Sequence, residues 1–187
     1  MKSKSSTDDF ELIKKVKNGD DNAFRQLVVK HKDTSLGLAC SILKDLDLAE
    51  DVLQDVFLKV YQKLPSFRFK SSFTTWFYRI VVNTCYNEVK KRRVKTDIDS
   101  LVDTGFEEES LLNKADQKYY VSLALNQLRS DEALALRLFY LCELSIAEIR
   151  EVTGHKNSKI KVDLHRGREN LYFHLKRLLG KDINTLL

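Results

Sequence analysis

The second half of the chain contains a pattern typical of a helix–turn–helix. Ser145 and Glu148 have the spacing of a capping box, Gly154 is placed to end the helix that they start, and Ser158 is expected to cap the next one. The second helix would carry five basic or titratable residues: Lys159, Lys161, His165, Arg166 and Arg168. Such a helix enters the major groove of DNA, where cations contact phosphates or base edges. A helical hairpin with a solvated basic face would have the same pattern.

A second candidate is SFTTWFYRIVVNTCYNEVKKRR, residues 72–93. At helical spacing, Phe77 and Val81 fall on an inward face. The opposite face and the helix start collect aromatic, amide and basic side chains: Trp76, Tyr78, Arg79, Asn83, Asn87 and Lys90. Cations that follow phosphates and rings that stack on unpaired bases are typical of a surface for single-stranded nucleic acid. Aromatic residues in a small helical domain are more often core residues, so that alternative stays open for Trp76 and Phe77.

A third segment, residues 49–64, is acidic on its outer side. Val52, Val56 and Val60 have the spacing of a buried face, and the outer side carries Glu50, Asp51, Gln54 and Asp55. DNA would repel these carboxylates, so a basic protein surface is the better partner for them. The alternative is a solvated helix face.

Other kinds of chemistry have no candidate residues. Gly-rich phosphate loops, metal-ligand clusters and nucleophile motifs are missing, so an enzyme is the least favoured class and no cofactor or metal is expected. Cys40, Cys85 and Cys142 are isolated and are interpreted as small core residues. The chain has no apolar run long enough for a signal peptide or a membrane span, and the expected location is the cytoplasm without membrane insertion.

The elements that position these residues are expected to be helices alone. The chain has one proline, Pro65, and six glycines, too few for the many tight turns of an all-β fold. Apolar spacing predicts a first helix that stops near Asn18, a second capped by Asp20, a separate run over 36–43, and a long helix over 48–64 that Pro65 ends. Beyond the helix over 73–93, about four helices are expected from Tyr119 onward, the last two of them short.

The charge distribution divides the chain into three parts. The net charge of +5 is the sum of +6 over residues 1–94, −5 over 95–116 and +4 over 117–187. The middle part also loses the helical period, as a solvated and flexible linker does. The predicted organisation is therefore two small helical domains, 1–94 and 117–187, joined by an acidic linker, and the free protein is expected to be a monomer.

Residues 8 to 179 together resemble a known family. The ordered stretches DDFELIKKVKNGDDNAFRQL, AEDVLQDVFLKVYQKLPSF and SFTTWFYRIVVN, followed by LNQL, LSIAEI and LHRGRENL, are similar to the extracytoplasmic-function sigma factors of bacteria. The resemblance implies a transcription initiation factor with a region 2 and a region 4 domain. Its implied partners are the core RNA polymerase, promoter DNA and an anti-sigma protein.

The resemblance also implies roles for individual residues. Glu50, Asp51, Gln54, Asp55 and Phe57 match the segment that binds the clamp helices of the polymerase β′ subunit. The loop 65–72 with Ser72, Phe73, Trp76, Tyr78, Arg79, Asn83, Asn87 and Lys90 matches the part that melts and reads the minus-ten element and traps an extruded base. Ser158, Lys159, Lys161, His165, Arg166 and Arg168 match the helix that reads the minus-thirty-five element, and residues 134–144 lie near the surface for the β-subunit flap.

Three residues depart from the family pattern in region 4. Arg150 stands where a small Ala is usual, Asp163 where a basic residue is common, and Gly167 in place of an Ala within the helix. An Asp beside phosphates is repulsive, and an interior Gly costs about 1 kcal/mol of helix stability.

Two non-enzymatic alternatives remain. A stand-alone helix–turn–helix regulator would explain the C-terminal half equally well. It would leave the aromatic, amide and basic residues of 72–93 and the acidic connector without a role. The other is a protein-interaction bundle whose basic faces are merely soluble surface, and binding that showed no dependence on DNA or salt would favour it.

Overall fold

The computed structural model describes residues 4–96 and 117–179, and its regular structure is helical. The first part contains α1 (Lys4–Lys17), α2 (Asp21–Leu43), α3 (Leu46–Lys63), a single 3-10 turn (Leu64–Ser66) and α4 (Phe73–Thr96). The second part contains α5 (Gln117–Asn126), α6 (Ser130–Leu136) with a π-helical turn (Arg137–Leu141), α7 (Ile146–Thr153) and α8 (Asn157–Leu179). Within these two ranges no strand occurs, and the all-α prediction is confirmed. Most of the predicted linker, residues 97–116, lies outside the described residues.

Local capping signals set several helix ends. The Asp20 carboxylate accepts hydrogen bonds from the backbone N–H groups of Asn22 at 2.9 Å and Ala23 at 3.1 Å, which satisfies donors that the first turn of α2 leaves unpaired. Asp45 does the same for α3 through the N–H of Leu48 at 3.0 Å. Pro65 lies in the 3-10 turn after α3. Because the proline nitrogen carries no hydrogen, it cannot donate the next hydrogen bond of the α-helix, and α3 ends close to Pro65 as the sequence predicts.

The region between residues 28 and 36 is helical, so the prediction of two separate segments there is wrong. α2 continues without a break because its two polar inward residues find partners. His31 is 5% exposed and lies 3.3 Å from the carboxylate of Asp9, and the hydroxyl of Ser35 donates to the His31 carbonyl at 2.6 Å. Buried polar groups with partners cost little, and they interrupt the apolar period without interrupting the helix.

The core of the first part lies between α2, α3 and α4. Leu27, Val56, Val60, Phe77 and Val81 are each no more than 2% exposed. Burying a side chain of this size stabilises the fold by roughly 1.5–3 kcal/mol. The core therefore fixes the rotation of α3 and α4 about their axes, and with it the side chains that each helix turns to solvent.

The two parts pack against each other, so α4 is buried on two faces. The Lys44 ammonium donates to the carbonyls of Asn126 at 3.0 Å and Leu128 at 2.8 Å, at the end of α5. The hydroxyl of Tyr86 on α4 donates to Asp131 at 3.1 Å. The apolar core is one continuous cluster across both parts. No periodic pattern in the sequence points to this interface, because the contacts join residues far apart in the chain.

The second part differs from the prediction in the length of its last helix. α8 has 23 residues, where the prediction was a short segment. Gly167 explains the close approach of α8 to α6: a Cβ at this position would lie 3.1 Å from Leu136 Cγ and 3.3 Å from the Glu132 carbonyl oxygen. The departure from Ala is therefore a packing feature. Among the described helices none combines the length and apolarity of a membrane span.

Candidate nucleic-acid interface

An exposed row of polar side chains runs along α4. Arg79, Asn83, Asn87 and Lys90 are all exposed. Their spacing of four, four and three residues places them on one side of the helix. Phe77 and Val81 hold that side outward because they are buried in the core. Two amides and two cations in a row can hydrogen-bond base edges and neutralise phosphates, as the sequence pattern predicts.

A cavity of about 290 Å³ lies at the start of this row. It is bounded by the loop before α4 and by the end of α3. Its lining combines cations, hydroxyls and rings: Lys63, Ser66, Phe67, Arg68, Lys70, Ser71 and Trp76. Trp76 is half-buried, and its ring centroid is 4.8 Å from that of Phe67 and 5.9 Å from that of Phe73. The cavity therefore offers an aromatic wall and a cationic rim to a flat, negatively charged ligand.

Three of the predicted minus-ten residues have other surroundings. Ser72 caps α4, because its hydroxyl accepts the backbone N–H of Thr75 at 3.1 Å. Phe73 is 7% exposed and stacks on Phe77 at 5.6 Å. Tyr78 is 4% exposed, and burial, together with its hydrogen bond to the Cys142 thiol, raises its pKa. The sequence places all three beside the nucleic-acid row, but packing buries Phe73 and Tyr78, while Ser72 stays exposed and its hydroxyl serves as a helix cap.

The outer side of α3 is acidic and exposed. Glu50, Asp51, Gln54 and Asp55 are all exposed, and the inward side is formed by Val52 and its neighbours as predicted. Phe57 differs from these four. It is half-buried and stacks on Phe77, with ring centroids 5.7 Å apart, so it supports the core under the acidic face.

The predicted helix–turn–helix is formed by α7 and α8. In the capping box, the Ser145 N–H donates to the Glu148 carboxylate at 2.9 Å, and the Glu148 N–H donates to the Ser145 hydroxyl at 3.3 Å. Gly154 has a φ of +73° and ends α7, with its N–H donating to the Arg150 carbonyl. α8 begins at Asn157, two residues earlier than a cap at Ser158 predicts, so Ser158 lies in its first turn and not at its cap. Arg150 is exposed.

Of the six candidate residues on α8, Lys159 is the one held by carboxylates of two helices. Its ammonium is 2.7 Å from Asp131 on α6 and 2.8 Å from Asp163 one turn along α8. Burial opposes these charges, but the hydrogen bonds outweigh it, so the pKa of Lys159 is raised and that of Asp131 is lowered. Asp163 therefore has a local cation to offset its repulsion of DNA phosphates.

The other members of this set are more accessible. Ser158, Lys161, His165, Arg166 and Arg168 are exposed. The Arg168 guanidinium donates to the Tyr140 hydroxyl at 3.2 Å, and His165 lies 3.2 Å from the Glu169 carboxylate. These are surface contacts worth little energy, which a competing phosphate can replace.

Asp131 is the interface residue that sequence reasoning missed. Its carboxylate contacts both Tyr86 of α4 and Lys159 of α8, and thereby joins the two candidate nucleic-acid surfaces. An acidic residue in the first turn of a short helix has an ordinary interpretation as a partner of the helix dipole. Only the packing of the two parts gives it a second role.

Two family models match the chain, Sigma-70 region 2 over residues 27–94 and Sigma-70 region 4 over residues 119–171. Among curated proteins, the ECF RNA polymerase sigma factor SigW of Bacillus subtilis is 32% identical over 180 residues, which cover 89% of this chain and 96% of the relative. The ECF RNA polymerase sigma-E factor of Escherichia coli K12 is 31% identical over 174 residues, 86% of this chain and 91% of the relative.

Two solved structures share the fold. The sigma factor RpoE of Bartonella quintana, in complex with the anti-sigma factor NepR, has a TM-score of 0.68 and 24% identity, and the match covers 82% of this chain and 96% of that one. CnrH in complex with the cytosolic domain of CnrY has a TM-score of 0.61 and 21% identity over 91% of this chain and 98% of that one. With the identity and coverage of the curated relatives, the family follows: the chain belongs to the extracytoplasmic-function RNA polymerase sigma factors, which are transcription initiation factors.

Proposed function

We propose that this sigma factor opens its promoters with the exposed row of α4 and the cavity at its start. The observation that carries the proposal is their adjacency: Trp76 forms part of the cavity wall, and Arg79 begins the row less than one helical turn later. An unpaired base can stack in the cavity while the following phosphates run along Arg79 and Lys90. Asn83 and Asn87 supply the hydrogen bonds that read base edges.

The other two surfaces have complementary roles in the proposal. The acidic outer side of α3 binds the β′ clamp helices of core polymerase, since carboxylates on an otherwise basic domain suit a basic protein surface. The exposed cations of α8 contact the minus-thirty-five element, and residues 134–144 lie near the β flap. Residues 1–94 and 117–187 act as two domains joined by 95–116. Promoter opening uses the free energy of binding to polymerase and DNA. It takes place in the cytoplasm and requires no catalysis by this chain.

The packed arrangement has a consequence for this mechanism. The minus-ten and minus-thirty-five elements are about 25 base pairs, or roughly 85 Å, apart at 3.4 Å per pair. Tyr86 on α4 and Asp131 beside α8 are in hydrogen-bond contact. The two domains must therefore separate before both elements are bound, and an anti-sigma protein that prefers the packed arrangement would hold the factor inactive.

A comparison of two measurements tests the proposal. Trp76→Ala and Asn87→Ala should slow promoter opening, measured by permanganate reactivity of minus-ten thymines, while the affinity of the factor for core polymerase stays unchanged. Val29→Ala, a change of an exposed α2 residue, is the matched control for opening. Equal losses of opening and of core affinity in the α4 variants would mean that these residues only support the fold.

A further inference from the structure

The loop between α3 and α4 has a conformation that its own sequence does not favour. Phe69 has a φ of +55°, in the left-handed region that bulky residues rarely adopt. The loop carries Phe67, Arg68 and Lys70 of the cavity on either side of this residue. Contacts from outside the loop must therefore hold Phe69 in place, since a strained residue persists only when its surroundings determine it.

Those contacts come from α1. The Phe10 ring packs on the Phe69 ring with centroids 4.9 Å apart. The Lys17 ammonium donates a hydrogen bond to the backbone carbonyl of Phe67 and lies 5.0 Å from the centroid of the Phe69 ring. One helix thus fixes the loop on both sides of Arg68, by a charge-assisted hydrogen bond and by two contacts to one ring.

The contact continues from α1 to the wall of the cavity. Four rings follow one another in the order Phe10, Phe69, Phe67 and Trp76, with centroid separations of 4.9, 4.9 and 4.8 Å. Phe67 is 6% exposed, so the middle of this series is held within the core. A displacement of the α1 end therefore reaches Trp76 through rings in direct contact, because packed rings do not deform independently.

We propose that Phe10 and Lys17 are positioning residues for promoter opening. They hold the loop so that Trp76 and the cavity cations are ready to receive an unpaired base of the promoter. This inference rests on the proposed function of the cavity. Neither residue lies in the range 27–94 that the region 2 family model matches, so the inference comes from the contacts of α1 alone.

Direct stacking of DNA on these two exposed rings is the less favoured interpretation. Phe10 is 38% exposed and Phe69 is 40% exposed, which would suit a second base platform. Ammonium groups already lie over them, however: Lys14 is 4.2 Å from the Phe10 centroid, and Lys17 is 5.0 Å from that of Phe69. A base would have to displace these cations, whereas a positioning role uses them as they are.

The test uses full-length factor assembled with core polymerase, and single-stranded DNA that carries the minus-ten sequence of a promoter it uses. Abasic sites placed one at a time identify the position whose base the cavity captures. Affinity for the intact and the abasic strand is then measured for wild type, Lys17→Met, Lys17→Arg, Phe10→Ala and Lys14→Met. Lys14→Met removes an ammonium beside Phe10 that does not contact the loop, and it is the matched control.

If Lys17 positions the cavity, Lys17→Met should lower affinity for the intact strand about tenfold, the loss expected for one charge-assisted hydrogen bond. It should also make the abasic site harmless, because the cavity no longer uses the base. Lys17→Arg should restore both properties, Phe10→Ala should resemble Lys17→Met, and Lys14→Met should resemble wild type.

The inference is overturned if Lys17→Met and the abasic site each lower the affinity for DNA by the same factor whether or not the other change is present. It is also overturned if Lys14→Met lowers the affinity as much as Lys17→Met does. Circular dichroism and urea unfolding show whether each variant is folded. If Phe10→Ala does not fold, the test rests on the comparison of Lys17→Met with Lys17→Arg. A wild-type complex that is insensitive to every abasic site would instead refute the proposed function of the cavity. The two failures are therefore distinguishable.

Discussion

The double change Arg79→Gln and Lys90→Gln tests the α4 row through the salt dependence of DNA binding. Both cations are exposed on the same side of α4, and Asn83 and Asn87 between them remain unchanged. Each cation that neutralises a phosphate of single-stranded DNA contributes roughly 0.7 to the slope of log affinity against log salt. Removing two should therefore make the slope shallower by about 1.4.

The slope is measured by fluorescence anisotropy of a labelled single-stranded minus-ten fragment bound to preassembled polymerase, between 50 and 200 mM salt. Over that fourfold range, a slope difference of 1.4 changes the salt-induced loss of affinity by roughly sevenfold. Lys15→Gln with Lys32→Gln removes the same charge from exposed positions of α1 and α2 and should leave the slope as in wild type. An equal change in both double variants would refute the row as the path of the phosphates, since only net charge would then matter.

Two further predictions concern the acidic face and the buried carboxylate. Asp51→Lys with Asp55→Lys should weaken binding to core polymerase by at least tenfold, measured by competition with a labelled factor, because like charges would then meet at the clamp helices. Asp9→Asn should lower the free energy of unfolding by about 2 kcal/mol at pH 7, since it removes the charge that pairs with Lys30 at 2.7 Å and contacts His31.

The stability difference between Asp9→Asn and wild type depends on pH in a direction that follows from the pKa of Asp9. Burial raises the pKa of Asp9, but the hydrogen bonds and charges of His31 and Lys30 outweigh it, and the pKa is lowered overall. An ionised carboxylate of this kind stabilises the fold above the ordinary value of about 3.9 and loses that contribution as the pH falls through its lowered pKa. Urea unfolding should therefore show a difference that shrinks as the pH falls below about 4.

One exposed acidic residue, Asp33, provides the control for both predictions. Asp33→Asn should leave stability within about 0.5 kcal/mol of wild type at every pH. Asp33→Lys, combined with Glu151→Lys on α7, reverses two charges away from α3 and should leave core affinity unchanged. A difference between Asp9→Asn and wild type that grows as the pH falls below about 4, or a loss of core affinity in the Asp33 and Glu151 variant, would contradict the reasoning.

The parts of the fold that were predicted correctly depend on neighbours in the sequence. Asp20 caps α2 and Pro65 ends α3 because hydrogen bonds within a few residues decide these positions. The continuity of α2 was missed because it depends on His31 and on Asp9, 22 residues earlier. A polar residue on an inward face looks like an interruption until its distant partner is known.

In the candidate site too, features set by sequence neighbours were predicted and features set by distant packing were not. Helical spacing alone predicts that Arg79 and Asn83 share an exposed side, and the structure agrees. Spacing does not separate Trp76 from Tyr78, two aromatic residues at the start of the same helix. Packing decides between them: Trp76 borders the cavity, while Tyr78 turns inward to Cys142. The contact of Lys17 with the loop spans 50 residues and has no local signal.

The most direct measurement is transcription by sigma-free bacterial core polymerase supplied with the purified factor and a pool of genomic fragments. Transcripts that start at defined positions, preceded by shared minus-ten and minus-thirty-five sequences, are the predicted result. Absence of binding to core polymerase, together with sequence-specific DNA binding by the protein alone, would contradict it and favour an operator-binding regulator.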